Sequence, residues 1–196
     1  MKNEINIFYG MSGSCKTFTI TKKKDSKEDL HVLFSQIKSW KYYQNGVFKG
    51  KVEDNNLLFS ILHLTRLREF VDVNHYEGFN LAVERGVTDS LFYWISCKGG
   101  IISEEDDAMI KEAVRQEYHL LLPDFYLIKK TLLIQKDKDF IENEIFKEPT
   151  RREKFSGSLE NYLESQDRYI EFTKRYNNID EVIEITNAKD YINNFK

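Results

Sequence analysis

Proline and cysteine are scarce in this chain: Pro123, Pro149, Cys15 and Cys97 are the only ones in 196 residues. Two cysteines cannot build a disulfide framework, and with four scattered histidines they form no zinc-ligand spacing, so a disulfide-stapled or metal-stapled scaffold is excluded. No run approaches the roughly 20 apolar residues that cross a bilayer. The polar start Met1-Lys2-Asn3-Glu4 lacks the apolar core of a signal peptide, which sets the expectation of a cytoplasmic protein with no membrane partner. Charge of one sign is not in excess either: 29 basic against 32 acidic residues leave a net charge of -3. Such a balance gives no global attraction to a nucleic acid polymer. What is present is a 41% hydrophobic, 14% aromatic chain of one domain's length, enough for a sizeable core.

The most informative stretch is 5–17, Ile-Asn-Ile-Phe-Tyr-Gly-Met-Ser-Gly-Ser-Cys-Lys-Thr. Ile5, Ile7 and Phe8 make a short apolar strand, and Gly10, Lys16 and Thr17 then fit G-x-x-x-x-G-K-[ST], with Cys15 where the pattern has glycine. In that pattern the backbone turns its N–H groups toward phosphates, the lysine reaches the β and γ oxygens, and the hydroxyl ligates Mg²⁺. Gly10, Gly13, Ser14, Cys15, Lys16 and Thr17 are the expected ATP contacts, and a helix is expected to follow over 16–24. An ordinary Gly and Ser turn after an edge strand is the other reading. Glycine normally precedes the lysine because the backbone approaches the phosphates closely there. Cys15 is small, and the loop dipoles together with Lys16 are expected to lower its thiol pKa.

Further along, short apolar runs alternate with helical spacing. Val32, Leu33 and Phe34 mark a second strand within 31–37, and Asn45-Gly46 and Lys49-Gly50 make 40–52 a connection. Leu57, Leu58, Ile61, Leu62, Leu64 and Leu67 recur at helical spacing over 54–70, with Phe59, His63, Arg66 and Phe70 on another face. A third strand is expected over 79–83, ending at Glu84-Arg85-Gly86, and then a helix over 89–96. Ser103-Glu104-Glu105-Asp106 reads as a helix start, with the helix reaching about His119. Pro123-Asp124 stops it, a fourth strand is expected at 125–128, and a polar helix at 132–146. Residues 148–157, with Pro149 and Gly157, break the pattern. Helical spacing resumes over 159–176, where Tyr162, Tyr169 and Tyr176 form one packed face, before a fifth strand at 182–185 and a helix at 187–195. Five apolar strands separated by helices argue for a parallel sheet covered on both faces, with ligands at the carboxyl ends of its strands. The loop, Glu84-Arg85 and Asn187 would meet there.

In this order of parts the chain resembles the thymidylate kinase and deoxynucleoside kinase superfamily. Phe8 to Thr17 is similar to the thymidylate kinase loop F-E-G-x-D-G-x-G-K-x. Glu84-Arg85 resembles the D-R signature of that family and the E-R-S of deoxynucleoside kinases. Leu122-Pro123-Asp124 looks like the element entering the fourth strand in both groups, and Arg151-Arg152-Glu153 with the helix behind it resembles a lid segment. The resemblance implies a P-loop NTPase-like three-layer α/β sandwich, with a five-stranded parallel sheet flanked by helices. It implies a single kinase domain over 1–196 with a lid around 147–158. ATP and Mg²⁺ would be the cofactors, Thr17 and Glu84 the metal contacts, Asn187 a further ATP contact, and Lys16, Glu84, Arg85, Arg151 and Arg152 the catalytic set. The acceptor would meet Arg85 together with Gln36, Trp40, Phe59, His63 and Arg66. A homodimer would be in keeping with the resemblance. Plain structural readings stand beside these: an ion pair at a strand end for Glu84-Arg85, surface charge for Arg151 and Arg152, and one face of an amphipathic helix for Phe59, His63 and Arg66.

One departure points to the substrate. Deoxynucleoside kinases carry a Glu-Pro pair at the end of the second strand, where the carboxylate takes a proton from the 5′-hydroxyl; here the stretch reads Ser35-Gln36-Ile37-Lys38-Ser39-Trp40. A nucleoside monophosphate is already an anionic nucleophile and needs positioning and charge neutralisation more than a base. The expected reaction is therefore ATP-dependent phosphorylation of a deoxynucleoside monophosphate, with a pyrimidine such as dTMP or dUMP as the family-based choice. A deoxynucleoside kinase of thymidine or deoxycytidine type is one alternative. A catalytically degenerate nucleotide-binding regulatory protein is the other.

Overall fold

A computed structural model describes residues 3–34, 52–75 and 78–194, and at 52–55, 150, 151 and 154 the backbone alone. Strands β1 Glu4–Tyr9, β2 Leu30–Leu33, β3 Asn80–Glu84, β4 Leu127–Gln135 and β5 Glu181–Ile185 form one sheet in the order β2-β3-β1-β4-β5, every pair parallel. Successive residues of a strand leave to opposite faces. Ile5, Ile7 and Tyr9 therefore enter one core with Leu81, Val83, Leu132 and Ile134, whereas Phe8 enters a second, smaller core with Ile20, Ala82, Leu133 and Ile185.

Helices cover both faces, as parallel strands joined by crossovers require. α1 Lys16–Ser26 and α8 Ala188–Asn194 serve the smaller core through Ile20 and Ala188. α2 Val52–Asn74, α3 Val87–Cys97, α4 Glu104–Leu120 and α7 Leu159–Tyr176 pack the larger one. Ser103 caps α4 as its sequence predicts: its hydroxyl accepts from the Asp106 N–H at 3.1 Å, and Asp106 accepts in return from the Ser103 N–H at 3.3 Å. Tyr162, Tyr169 and Tyr176 form one buried face of α7. This is the three-layer α/β sandwich with a five-stranded parallel sheet that the order of apolar segments implies.

The sequence pattern misleads between Pro123 and Gly157. The fourth strand is not at 125–128 but at Leu127–Gln135, and helix returns only with α5 Lys138–Phe140, prolonged by a π-turn at Ile141–Ile145. Phe125 and Leu127 are 61% and 58% exposed, whereas Leu132, Leu133 and Ile134 are buried. This segment lies between β1 and β5 and is covered on both faces, so its apolar run does not alternate, and period alone cannot separate such a run from buried helix. The expected break at 148–157 contains α6 Pro149–Lys154, with the proline at the first helical position, where its missing N–H is no loss. The remainder of the second-strand segment beyond Phe34 lies outside the described residues.

A polar seam crosses the larger core. Lys130 of β4 donates its Nζ to Asn177 Oδ1 at 2.9 Å, the Tyr9 hydroxyl donates to the same oxygen at 3.3 Å, and Asn177 Nδ2 donates to Thr88 Oγ1 at 3.1 Å. Burial pushes the Lys130 ammonium's pKa down, and Glu117 and Asp180 oppose that shift. Removing the Asn177 amide strands this buried cation, so Asn177→Ala is expected to cost about 2–3 kcal/mol in a urea titration. Adding Lys130→Met should return part of the loss. An unchanged midpoint in the single variant would contradict the pairing.

Candidate active site

The loop between β1 and α1 carries the first half of the site. Gly10 and Gly13 have φ of 151° and 89°, values that disfavour side chains; a Cβ on Gly10 would strike Ser14 and the Leu133 carbonyl, and one on Gly13 would strike Ile145. Two α7 tyrosines hold the loop from behind. The Tyr169 hydroxyl accepts from the Gly10 N–H at 2.8 Å, and the Tyr162 hydroxyl donates to the Ser12 carbonyl at 3.0 Å. α1 has no side-chain cap and no acid in its first turn, so its first N–H groups form a positive end of the kind that receives anions.

Lys16 is 4% exposed and donates its Nζ to the Gly10 carbonyl at 2.6 Å, the Met11 carbonyl at 2.8 Å and Ser14 Oγ at 3.2 Å. Burial, then Arg85, push its pKa down to about 7 against the pull of Asp89 and Glu84. Cys15 takes the left-handed conformation, φ 59° and ψ 17°, that glycine adopts without strain. Its thiol does not follow the expected shift. Burial raises its pKa to about 11, and the opposing effect of Lys16 is smaller. The sulfur packs near the Gly13 carbonyl and Gln135 Nε2, so this is a shielded thiol and not an activated one.

Strand register supplies the second half. β1 and β3 pair with Phe8 opposite Glu84, and the Arg85 N–H donates to the Phe8 carbonyl at 2.9 Å. Glu84 is buried and accepts a hydrogen bond from Thr17 Oγ1, which brings the two expected metal contacts together. Arg85 follows with φ 73°, and its Nη1 lies 3.4 Å from Asp89 Oδ1. Burial is the largest single effect and opposes the guanidinium's charge, but Asp89, Tyr93, Tyr169 and Glu84 together outweigh it and hold the pKa above the ordinary value. Asp89, 1% exposed, also accepts from the Tyr169 hydroxyl at 2.8 Å and the Gly86 N–H at 3.1 Å. Burial raises its carboxyl pKa, partly offset by Arg85 and Lys16.

The other expected site residues are distributed differently. His63 Nε2 lies 2.7 Å from Glu117 Oε1, a buried carboxylate that also accepts from the Val87 N–H at 2.7 Å. Burial would raise the Glu117 pKa, but His63, Lys130 and the Val87 amide together hold it below the ordinary carboxylate value. His63 thus belongs to a network behind the Glu84-Arg85 turn. Arg66 donates Nη1 to the Phe34 carbonyl at 2.9 Å and ties α2 to the end of β2, while Phe59 is half-buried on α2. Gln36 and Trp40 lie outside the described residues. Arg152 is exposed on α6; Arg151 precedes it there, its backbone alone described. Asn187 is exposed and caps α8, accepting from the Asp190 N–H at 3.0 Å.

One feature of the site has no motif. A cavity of about 280 Å³ opens between α3 and α7, lined by Phe92, Tyr93 and Ser96, by Phe155 and Ser156, and by Asn161, Glu164, Ser165 and Arg168. Phe92 packs on Tyr169 at 5.2 Å and Phe155 on Tyr162 at 5.0 Å, so the tyrosines that hold the loop also contact the cavity wall. Positions 161, 164, 165 and 168 are spaced as one helix face, but they are polar, and in the sequence such a stripe reads as solvated surface.

No protein-family model matches the chain, and no curated protein matches it in sequence. Solved structures do match. The structure is similar to thymidylate kinase from Candida albicans, with a TM-score of 0.61 at 13% identity over 98% of this chain and 89% of that one. Thymidylate kinase from Ehrlichia chaffeensis gives 0.57 at 12% identity over 95% and 89% of the two chains. A deoxyadenosine kinase from M. mycoides, with dATP bound, gives 0.55 at 15% identity over 96% and 95%. At such identities the likeness concerns the fold, and function resides in the site. The chain shares the fold of these kinase structures, an α/β sandwich on a five-stranded parallel sheet.

Proposed function

We propose that this protein transfers the γ-phosphoryl group of ATP to a deoxynucleoside monophosphate, with a pyrimidine such as dTMP or dUMP as acceptor. The carrying observation is the convergence of two adjacent strand ends. Lys16 and Thr17 follow β1, Glu84 and Arg85 stand at the end of β3, and Thr17 bonds Glu84 across the gap. A phosphate loop and a partly exposed arginine on adjacent strand ends suit two phosphates in line.

The residues present fit Mg²⁺ and ATP. Among the described residues no group of three or more His, Cys, Asp or Glu could hold a metal alone. Thr17 and Glu84 would hold the ion together with phosphate oxygens, the usual arrangement for this cation. When bound, Mg²⁺ would neutralise part of the phosphate charge. Lys16 would exchange the Gly10 and Met11 carbonyls for phosphate oxygens, and an anion there reverses the burial effect on its pKa. Arg85 would bind the acceptor phosphate. Its base would enter the α3–α7 cavity, between Phe92, Tyr93 and Phe155, with Asn161 and Arg168 available to its polar edge. Arg151 or Arg152 would approach from α6 as the lid cation, a role that supplies on the order of 10³ in rate.

Asp89 favours a second reading. It offsets part of the Arg85 charge, and Glu84 offers a carboxylate at the strand end, an arrangement suited to a neutral deoxynucleoside acceptor. ADP release with each deoxynucleoside and each monophosphate separates the two. Turnover of monophosphates alone is expected, and turnover of nucleosides alone would move the assignment to the second reading. ATP binding without any acceptor use would contradict both. Lys16→Ala is expected to lower kcat/KM at least about 10²-fold. Near neutral pH, iodoacetamide should label exposed Cys97 well before Cys15, with mass spectrometry as the readout, and equal labelling would contradict the shielded thiol.

A further inference from the structure

A chain of hydrogen bonds, buried beyond the partly exposed Arg85, joins that residue to the donor loop. Arg85 Nη1 approaches Asp89 Oδ1 at 3.4 Å, the Tyr169 hydroxyl donates to the same oxygen at 2.8 Å, and that hydroxyl accepts from the Gly10 N–H at 2.8 Å. The Gly10 carbonyl in turn accepts from Lys16 Nζ at 2.6 Å. Asp89 and Tyr169 are each 1% exposed, so water does not compete for the bonds that join Asp89, Tyr169 and Gly10. We propose that Tyr169 is a positioning residue that couples occupancy of the Arg85 anion site to ATP binding at the donor loop. The inference rests on Arg85 being the acceptor-phosphate ligand of the proposed reaction.

The physical argument starts from the single proton of a tyrosine hydroxyl. That proton is committed to Asp89, and an oxygen that donates to a carboxylate is a stronger acceptor for its other partner, here Gly10. Among the hydrogen bonds to Asp89, the one from Arg85 is the longest. An anion that draws Arg85 away removes a cation from the carboxylate, which then relies more on Tyr169 and the Gly86 N–H. The Tyr169 oxygen gains negative charge and holds the Gly10 N–H more firmly. Gly10 opens the phosphate loop, so a firmer hold on its N–H fixes the loop in the conformation that receives ATP, whose phosphates then take Lys16 from the Gly10 carbonyl. Coupling of this kind is reciprocal: ATP should tighten the acceptor by the same factor.

The test is a titration of a fluorescent N-methylanthraniloyl ATP with Mg²⁺, without and with dTMP, thymidine serving as the probe that lacks a phosphate. In the unsubstituted protein dTMP is expected to tighten the analogue by about fivefold and thymidine to leave it unchanged. In Tyr169→Phe, which keeps the ring packed on Phe92 but leaves the Gly10 N–H and Asp89 each short of a partner, the dTMP effect should fall below about twofold, with a Tm lowered by the lost buried bonds. Asp89→Asn keeps an acceptor oxygen but loses the charge; it should also lose the coupling, and it carries the test should the tyrosine variant not fold. Equal enhancement in the unsubstituted protein and Tyr169→Phe overturns the inference, as does no enhancement in the unsubstituted protein. Coupling present and lost in Tyr169→Phe, with no ADP released from any acceptor, overturns the kinase reading and sustains the coupling.

Discussion

The parallel pairing of β1 with β3 is the constraint from which the site follows. With Phe8 opposite Glu84, the chain leaves the two strands at the same level, one branch turning through Gly10 into the phosphate loop and the other through Arg85 and Gly86 into α3. The Arg85 N–H bond to the Phe8 carbonyl carries the ladder one step past the strand end. Slipping that register by one residue would exchange the faces of the sheet and put Tyr9 where Phe8 packs. Neither branch could then bring Thr17 to Glu84.

Around that register the interior holds an unusual number of ionisable groups. Lys16, Glu84, Asp89, Glu117 and Lys130 are all buried. Isolated charges there would be strongly unfavourable, and each has a hydrogen-bonded or oppositely charged neighbour. Two connected sets result. One, through Asp89 and Tyr169, reaches the loop itself; the other, through Glu117, Asn177 and Lys130, lies behind the Glu84-Arg85 turn and anchors its first helical N–H at Val87. Tyr9 hydrogen-bonds into the second set, and Gly86 is small because the Tyr9 ring occupies the space a Cβ would need. The site is therefore rigid from below.

Much of the fold was legible because most elements keep one clean period. β1, β3 and α7 appear near their expected places, and α4 starts at the cap its sequence announces. β4 was obscured by burial on both faces, which removes the alternation that identifies a strand. In the site, the loop and Glu84-Arg85 were readable because glycines and charges at a strand end have few other uses. Asp89, Glu117 and Tyr169 were not. Their roles depend on partners far along the chain, as Tyr169 with Asp89 and Glu117 with His63 and Val87, and no local pattern encodes such pairs. The Cys15 thiol departs from its expected shift for a related reason: the nearby cation is visible in the sequence and the burial is not.

The central claim is that donor and acceptor phosphates meet between Lys16 and Arg85. Adenosine and thymidine joined through their 5′ oxygens by a polyphosphate span such a cleft, and chain length reports the acceptor. Five phosphates match ATP plus a monophosphate with one bridging group, and four match ATP plus a nucleoside. Calorimetric titration with Mg²⁺ should give about tenfold tighter binding for the five-phosphate compound than for ATP or the four-phosphate compound. Tighter binding of the four-phosphate compound would contradict the monophosphate assignment, and no gain over ATP with either would contradict a shared cleft.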